Sequence, residues 1–234
     1  MVSTMTDTST RPQRRRRGEY AKTEATRQAI LDAALEVFAQ SGYRAGSLRE
    51  IATKVGMSEA GLLHHFRNKV ALLEAVLERR DDRARETVPI ESEDGAAVLR
   101  GLVQLAAHNA SLPGVVELYC TLSAEATSPD HPAHDYFIRR YEYTRGNIAR
   151  AFGHLAVEGR LKAGMTPERA AVTIIAMMDG LQVQWLYDRD VVDMAEELRN
   201  LFTPFVDIDW DPAPMPTVEL DAEPDAALDA EPAR

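Results

Sequence analysis

The sequence predicts an all-α protein of about nine helices, with a small N-terminal three-helix unit built on a helix-turn-helix and a larger helical body behind it. Three observations carry this. Apolar residues recur at helical spacing from Thr23 to about Phe205, with no strand-type alternation. Breaks fall at helix-length intervals, at Pro89–Asp94, Ser111–Gly114, Ser128–Pro132, Ala163–Pro167 and Tyr187–Asp190. Charge is also divided. Residues 1–80 carry 14 Lys+Arg and 9 Asp+Glu, a net +5, while the remainder carries 13 and 28, a net −15. A basic binding module joined to an acidic body fits that asymmetry, which the overall net charge of −10 conceals.

Residues 1–22, polar and containing "RPQRRRRG", predict a disordered basic arm, able to gain phosphate contacts in a minor groove. From Thr23, Ile30, Ala34, Val37 and Phe38 form one helical stripe that ends at Gly42, a C-terminal cap residue. Ser47–Leu48–Arg49–Glu50 is a capping box opening a short helix through Ile51, Ala52 and Val55. Gly56 breaks it, and Ser58 caps a third helix to about His65, with Leu62 and Phe66 turned inward. Asn68 caps a fourth whose Leu72, Leu73, Val76 and Leu77 face a core. The predicted units are therefore 23–84, with the helix-turn-helix at 47–66, and a body at 85–206. Nine acidic residues and five prolines from Asp207 onward predict a disordered tail over 207–234.

Within "SEAGLLHHFRNK" (58–69) the adjacent histidines, His64 and His65, diverge by about 100° on a helix, so they are not a metal pair, which needs i and i+3 or i+4 spacing. Two short helices joined by "VGMS" have the size of a DNA-reading helix-turn-helix. Ser58, Glu59, Ala60, Gly61, Leu63, His64 and His65 are then presented outward. An imidazole hydrogen-bonds a phosphate oxygen or base acceptor, and Ala60 or Leu63 touches a thymine methyl. Lys69, at the start of the fourth helix, grips phosphate together with free backbone N–H groups.

Residues 24–84, "TRQAILDAALEVFAQSGYRAGSLREIATKVGMSEAGLLHHFRNKVALLEAVLERR" with its flanks, resemble the N-terminal domain of the TetR/AcrR family of bacterial transcriptional regulators. The "SLREIA" helix, the "VGMS" turn and "HFRNK" occur together in order. By position, the resemblance assigns phosphate contacts to Ser47 and Lys69, and groove-facing places to Ala60, Gly61, Leu63, His64 and His65. Leu63 stands where the family often has a phosphate-binding tyrosine, so that hydroxyl is missing. The body is similar in length and helix count to the family's ligand-binding and dimerisation domain. "MMDGLQVQWLYD" and "VVDMAEELRNLF" resemble its last two helices, which imply a homodimer through about Pro167–Arg189 and Val191–Phe205.

The implied function is a repressor that binds a palindromic double-stranded DNA operator as a dimer and is released by a small, largely apolar effector. Polar or aromatic groups on otherwise apolar helices, His108, Asn109, Tyr119, Tyr141, Gln182 and Trp185, are the candidate lining of its pocket. The alternatives are a regulator of the same fold controlled by a protein partner, and an all-helical enzyme with an incidental helix-turn-helix. No nucleophile elbow, phosphate-cradling glycine loop, HExxH or convergent carboxylate pair supports catalysis, and no cofactor or metal is expected. "HPAHD" near Cys120 reads as a loop with capping or exposed histidines rather than a zinc site. One cysteine and no apolar run after the N-terminal arginines suit a cytoplasmic protein without a secretory signal. Ala170–Tyr187, interrupted by Asp179, Gln182 and Gln184, reads as a buried helix rather than a membrane span.

Overall fold

The computed structural model describes residues 13–162 and 164–210, which form nine α-helices and a single isolated antiparallel bridge, Leu161 with Val206. In order these are α1 (Gln13–Ala45), α2 (Leu48–Val55), α3 (Glu59–His65), α4 (Lys69–Thr87), α5 (Gly95–Ala110), α6 (Pro113–Glu125), α7 (His134–Val157), α8 (Pro167–Tyr187) and α9 (Met194–Phe202). Among the described residues no helix is long and apolar enough to cross a membrane.

The caps read from the sequence are formed. Ser47, Ser58 and Asn68 each accept a hydrogen bond from the backbone N–H three residues on, at 3.1, 3.1 and 2.8 Å. Each thereby satisfies one of the donors that a helix start leaves orphaned. Gly56 ends α2 in the left-handed region (φ 79°), its N–H serving the carbonyls of Ala52 and Thr53. This turn aims α3 across α2 and sends Leu62 and Phe66 into the core while Leu63 and His64 stay exposed.

Two expectations at the ends need correcting. The first twelve residues of the supposed arm lie outside the described residues, but from Gln13 the backbone is already helical and continuous with α1. Arg, Glu, Ala and Lys extend a helix readily once a fixed turn exists. The buried stripe of Ile30, Ala34, Val37 and Phe38 supplies that turn. The supposed tail begins later than Asp207. Asp207 N–H bonds to the Arg160 carbonyl at 2.9 Å, and the Trp210 ring stacks on Phe202 at 5.6 Å. Apolar Ile208 and Trp210 outweigh the acidic composition over these four positions; residues 211–234 lie outside the described part.

The molecule has two apolar cores. One joins α5, α7, α8 and α9 round Leu99, Phe152, Ile174 and Phe202. The other gathers α1 to α4 but also takes Leu118, Tyr119 and Leu122 of α6 and Phe137 of α7. The N-terminal head, α1 to α4, and the body therefore share one core, chiefly through α1 lying along α6. Moreover, α4 runs unbroken through Thr87, so the division expected near residue 84 falls inside a helix.

Candidate nucleic-acid interface and body cavity

On the head, Ser47, Ser58, Glu59, Ala60, Leu63 and His64 are exposed, and Gly61 and His65 are half-buried. Each capping serine spends an acceptor on its helix and keeps its O–H free for an outside acceptor such as phosphate. The His64 and His65 rings meet edge-on at 5.9 Å, so two donor-bearing edges stand side by side on the outer face of α3. Lys69 is held from below. Its Nζ donates to the Arg44 carbonyl at 3.3 Å and lies 4.4 Å over the Tyr43 ring. Burial lowers its pKa from the usual lysine value, against the pull of Glu125. Two other cations of the head are internally paired, Arg44 with Asp130 at 3.1 Å and Lys54 with Glu36. Such exposed pairs are screened by solvent and contribute little, so exchanging the carboxylate for a phosphate costs little.

A clasp ties this platform to the body. At Gly42 the backbone takes φ 72° and ψ 174°, and Tyr43 N–H donates to Glu125 Oε2, the end of α6, at 2.8 Å. His131 is buried beside it, with Nε2 3.4 Å from the same oxygen but without a hydrogen bond's alignment, and its ring edge-on to Tyr43 at 5.2 Å. Its Nδ1 accepts from Ala133 N–H at 3.1 Å, and His134 Nδ1 contacts the Ala126 carbonyl at 2.7 Å. Both histidines of "HPAHD" thus serve the loop between α6 and α7.

In the body a cavity of about 250 Å³ opens between α4, α5, α7 and α8. A smaller chamber of about 40 Å³ adjoins it and shares Leu105, Arg140, Thr144 and Met178. Asn109, Tyr119, Tyr141 and Gln182 of the expected lining come together in this chamber. The other two do not. His108 lies exposed on a separate cleft beside Arg79 and Arg83. Trp185 is buried in the body core with Arg189 stacked 4.9 Å over it, and lines none of these spaces. Both were chosen by residue type; on α5 and α8 their directions miss the space between helices.

The cavity's charged residues were not foreseen. Asp81 Oδ1 accepts from Arg140 and from Arg80 (3.3 Å), and its Oδ2 accepts from the Tyr136 hydroxyl at 2.8 Å. Both guanidiniums approach the Tyr119 ring, Arg80 at 4.1 Å and Arg140 at 5.4 Å. Tyr141 donates to Asp179 Oδ2 at 2.8 Å. Burial pushes the Asp179 carboxyl and the Tyr136 and Tyr141 hydroxyls up, and lifts the Cys120 thiol to about 11, with Asp179 adding to it. Besides His131 Nε2, two buried side-chain polar atoms among the described residues have no hydrogen-bond partner, Arg80 Nε and Gln182 Oε1, and both residues line the smaller chamber. A signal existed for Arg80: it continues the stripe of Leu73, Val76 and Leu77 at helical spacing, where an apolar residue belongs.

Two family models match the chain. "Bacterial regulatory proteins, tetR family" covers residues 30–76, and "BetI-type transcriptional repressor, C-terminal" covers residues 120–207. The chain belongs to the TetR family. Curated relatives agree over most of its length. It is 26% identical to the transcriptional regulator TtgR of Pseudomonas putida over 76% of this chain and 88% of that protein. To AcrR of Shigella flexneri it is 25% identical over 76% and 86%. The fold matches SmeT, the repressor of the Stenotrophomonas maltophilia multidrug efflux pump SmeDEF. In the SmeT–triclosan complex the TM-score is 0.69 at 20% identity, covering 82% of this chain and 99% of that one. This TetR-family chain is accordingly a DNA-binding transcriptional regulator of helix-turn-helix type, all-α throughout the described residues.

Proposed function

We propose that this regulator is a repressor that binds a palindromic operator as a homodimer and lets go when a small molecule fills the body cavity. One observation carries the reading: α4 has its two ends in the two jobs. Lys69 starts it beside the recognition helix, and Arg80, Asp81, Ala84 and Arg85 farther along line the cavities. From Lys69 to Arg85 such a helix spans about 24 Å, so a ligand that tilts one end moves the other. A dimer reads two half-sites only with its recognition helices about 34–36 Å apart or a multiple of it, so a small tilt is enough to spoil the fit.

The homodimer reading is supported by α8. Val172, Ala176, Val183 and Tyr187 are exposed and Gly180 half-buried, and together they make one apolar stripe along the helix. The contribution expected of the last helix is different. α9 turns Met194, Leu198 and Phe202 into its own core and leaves Glu196, Glu197, Arg199 and Asn200 outside, so α8 supplies the apolar part of the seam and α9 a polar flank. SmeT, solved as a complex with triclosan, is a precedent for a small molecule bound by this fold. A partner-controlled regulator would have no use for a 250 Å³ cavity, which favours the effector reading.

The test is selection of bound DNA from a random pool with the full chain, then operator binding against a compound library. A palindrome, a dimer by light scattering and a compound that weakens operator binding are the expected results. A monomer at micromolar concentration, or recovery of an asymmetric single half-site, overturns the dimeric reading.

A further inference from the structure

We propose that the effector is an organic anion, a carboxylate carried on a planar aromatic body, which puts its charge among Arg80, Arg139 and Arg140 and its ring among the tyrosines. The inference rests on the reading of the body as effector-binding and adds the ligand's chemistry to it.

Charge favours an anion. The two chambers are lined by Arg80, Arg85, Arg139 and Arg140 against Asp81 and Asp179, an excess of two positive charges. They lie in a part of the chain that is otherwise acidic, net −15 after residue 80. Asp81 already satisfies two guanidiniums and a hydroxyl, and Asp179 is engaged by Tyr141, so neither reaches the remaining donors. Arg80 Nε has no hydrogen-bond partner, although the side chain is only 8% exposed. A buried guanidinium donor without an acceptor is costly, and a carboxylate meets a guanidinium with two parallel, charge-assisted bonds. Gln182 Oε1, also unpartnered in the smaller chamber, takes a hydroxyl or N–H on the far side of such a ligand.

The lining disfavours the opposite charge. Four tyrosines (Tyr119, Tyr136, Tyr141 and Tyr143) line the two chambers, and a tyrosine cage holds an organic cation by its ring faces. Here the Tyr119 ring already has both arginines over it, at 4.1 and 5.4 Å. A ligand ammonium would add a third positive charge to that group. A planar apolar ring, in contrast, fits between the remaining tyrosines and the Leu102, Leu105 and Met178 walls. The walls suit the largely apolar ligand expected from the sequence, and the proposal gives that ligand a charged end.

The consequence for switching is geometric. Arg80 and Arg85 stand on α4, and Arg139 and Arg140 on α7. An anion shared between them draws the two helices together, and α4 is the helix that ends in Lys69.

The experiment titrates the full-length protein with three probes of one shape, naphthalene-2-carboxylate, naphthalene-2-carboxamide and 2-naphthylmethylammonium, with sulfate alone as a fourth. Calorimetry reads binding and fluorescence anisotropy reads release of the selected operator. The carboxylate is expected to bind at least about tenfold tighter than the amide, the ammonium weaker than both, and sulfate far weaker than the carboxylate. Arg140→Gln should erase the preference of carboxylate over amide. Because that change also disturbs Asp81, the exposed Arg139→Gln is the companion variant, expected to lower carboxylate affinity several-fold and leave the amide alone. Equal binding of acid and amide, or tighter binding of the ammonium, overturns the anion proposal while leaving an effector site. Sulfate as tight as the carboxylate overturns the aromatic half. Carboxylate binding that leaves operator affinity unchanged keeps the anion site and sinks the release reading instead. If no probe binds, the anion proposal is overturned.

Discussion

Gly42→Ala tests whether the head is held in register by a single backbone turn. At φ 72° and ψ 174° this residue occupies a region that only glycine enters freely, and a side chain there costs about 1–3 kcal/mol. A Cβ would also lie 2.2 Å from Glu125 Oε1, so the carboxylate that accepts the Tyr43 N–H at 2.8 Å has to move. Losing a hydrogen bond to a charged acceptor adds roughly 1.5–3 kcal/mol if nothing replaces it, and the two costs overlap. We expect a loss of about 2–4 kcal/mol, seen as a fall in Tm of roughly 5–15 °C for a chain of this size. Glu125→Ala in the same background separates the causes. It removes the clash but leaves the strained backbone, so the double variant should be less destabilised than the two single losses added together, by about 1 kcal/mol. Operator affinity should fall as well, since the Tyr43 ring and the Arg44 carbonyl that follow Gly42 position Lys69. A Gly42→Ala protein with unchanged Tm and unchanged DNA affinity would refute both the strain and the clasp.

Lys69→Ala should weaken binding to all DNA sequences alike and reduce the salt slope by about one unit per protomer, measured by anisotropy between 50 and 200 mM salt. His64→Ala and His65→Ala should instead alter preference at individual base pairs, by about 1–3 kcal/mol in a competitive selection; unaltered selectivity in both removes them from the groove. His131 is buried with its pKa lowered, by burial first and against the attraction of Glu125. The unfolded chain therefore takes up a proton at higher pH than the folded one, and stability should fall as pH drops through the ordinary histidine value of about 6.5. His131→Gln should flatten that dependence in chemical denaturation from pH 7.5 to 5.5. Asp81→Ala leaves Arg80 and Arg140 facing each other without a counter-charge and should cost about 3–5 kcal/mol by urea denaturation.

What could be read in the sequence was what depends on near neighbours along the chain. Ser47, Ser58 and Asn68 act on N–H groups three residues away, and Gly56 acts through its own φ, so each cap was legible at its position. The exposed face of α3 followed from Leu62 and Phe66 being the apolar positions. The cavity was not legible in the same way. Arg140 reaches Asp81 across 59 positions, and no local pattern says which charged residue on α4 will find a partner on α7. Asn109, Tyr119, Tyr141 and Gln182 were found because they are uncommon groups on apolar helices, a criterion that also selected Trp185 and His108. Helix α1 shows the opposite failure. Composition over residues 13–22 favours disorder, whereas propensity and a buried anchor downstream favour helix, and the anchor decides.

The buried charges bear on why the body is built as it is. Arg80, Asp81 and Arg140 have side chains only 8%, 13% and 19% exposed, so each has lost most of its hydration. Buried ion groups of this kind generally contribute no more stability than well-packed apolar residues of similar volume, and often less. A fold selected for stability alone would have continued the apolar stripe of α4 through position 80. This chain instead keeps a guanidinium there with one donor unsatisfied, on the same helix that carries Lys69 to the head. The cost of that unmet donor is present only while the cavity is empty of an acceptor. On the proposed reading a ligand's acceptor would relieve that cost, and it would bias the helix only as far as the relief differs between the DNA-bound and released positions of α4. Under the proposed function, that difference at Arg80 is what would couple the cavity to the Lys69 end of α4.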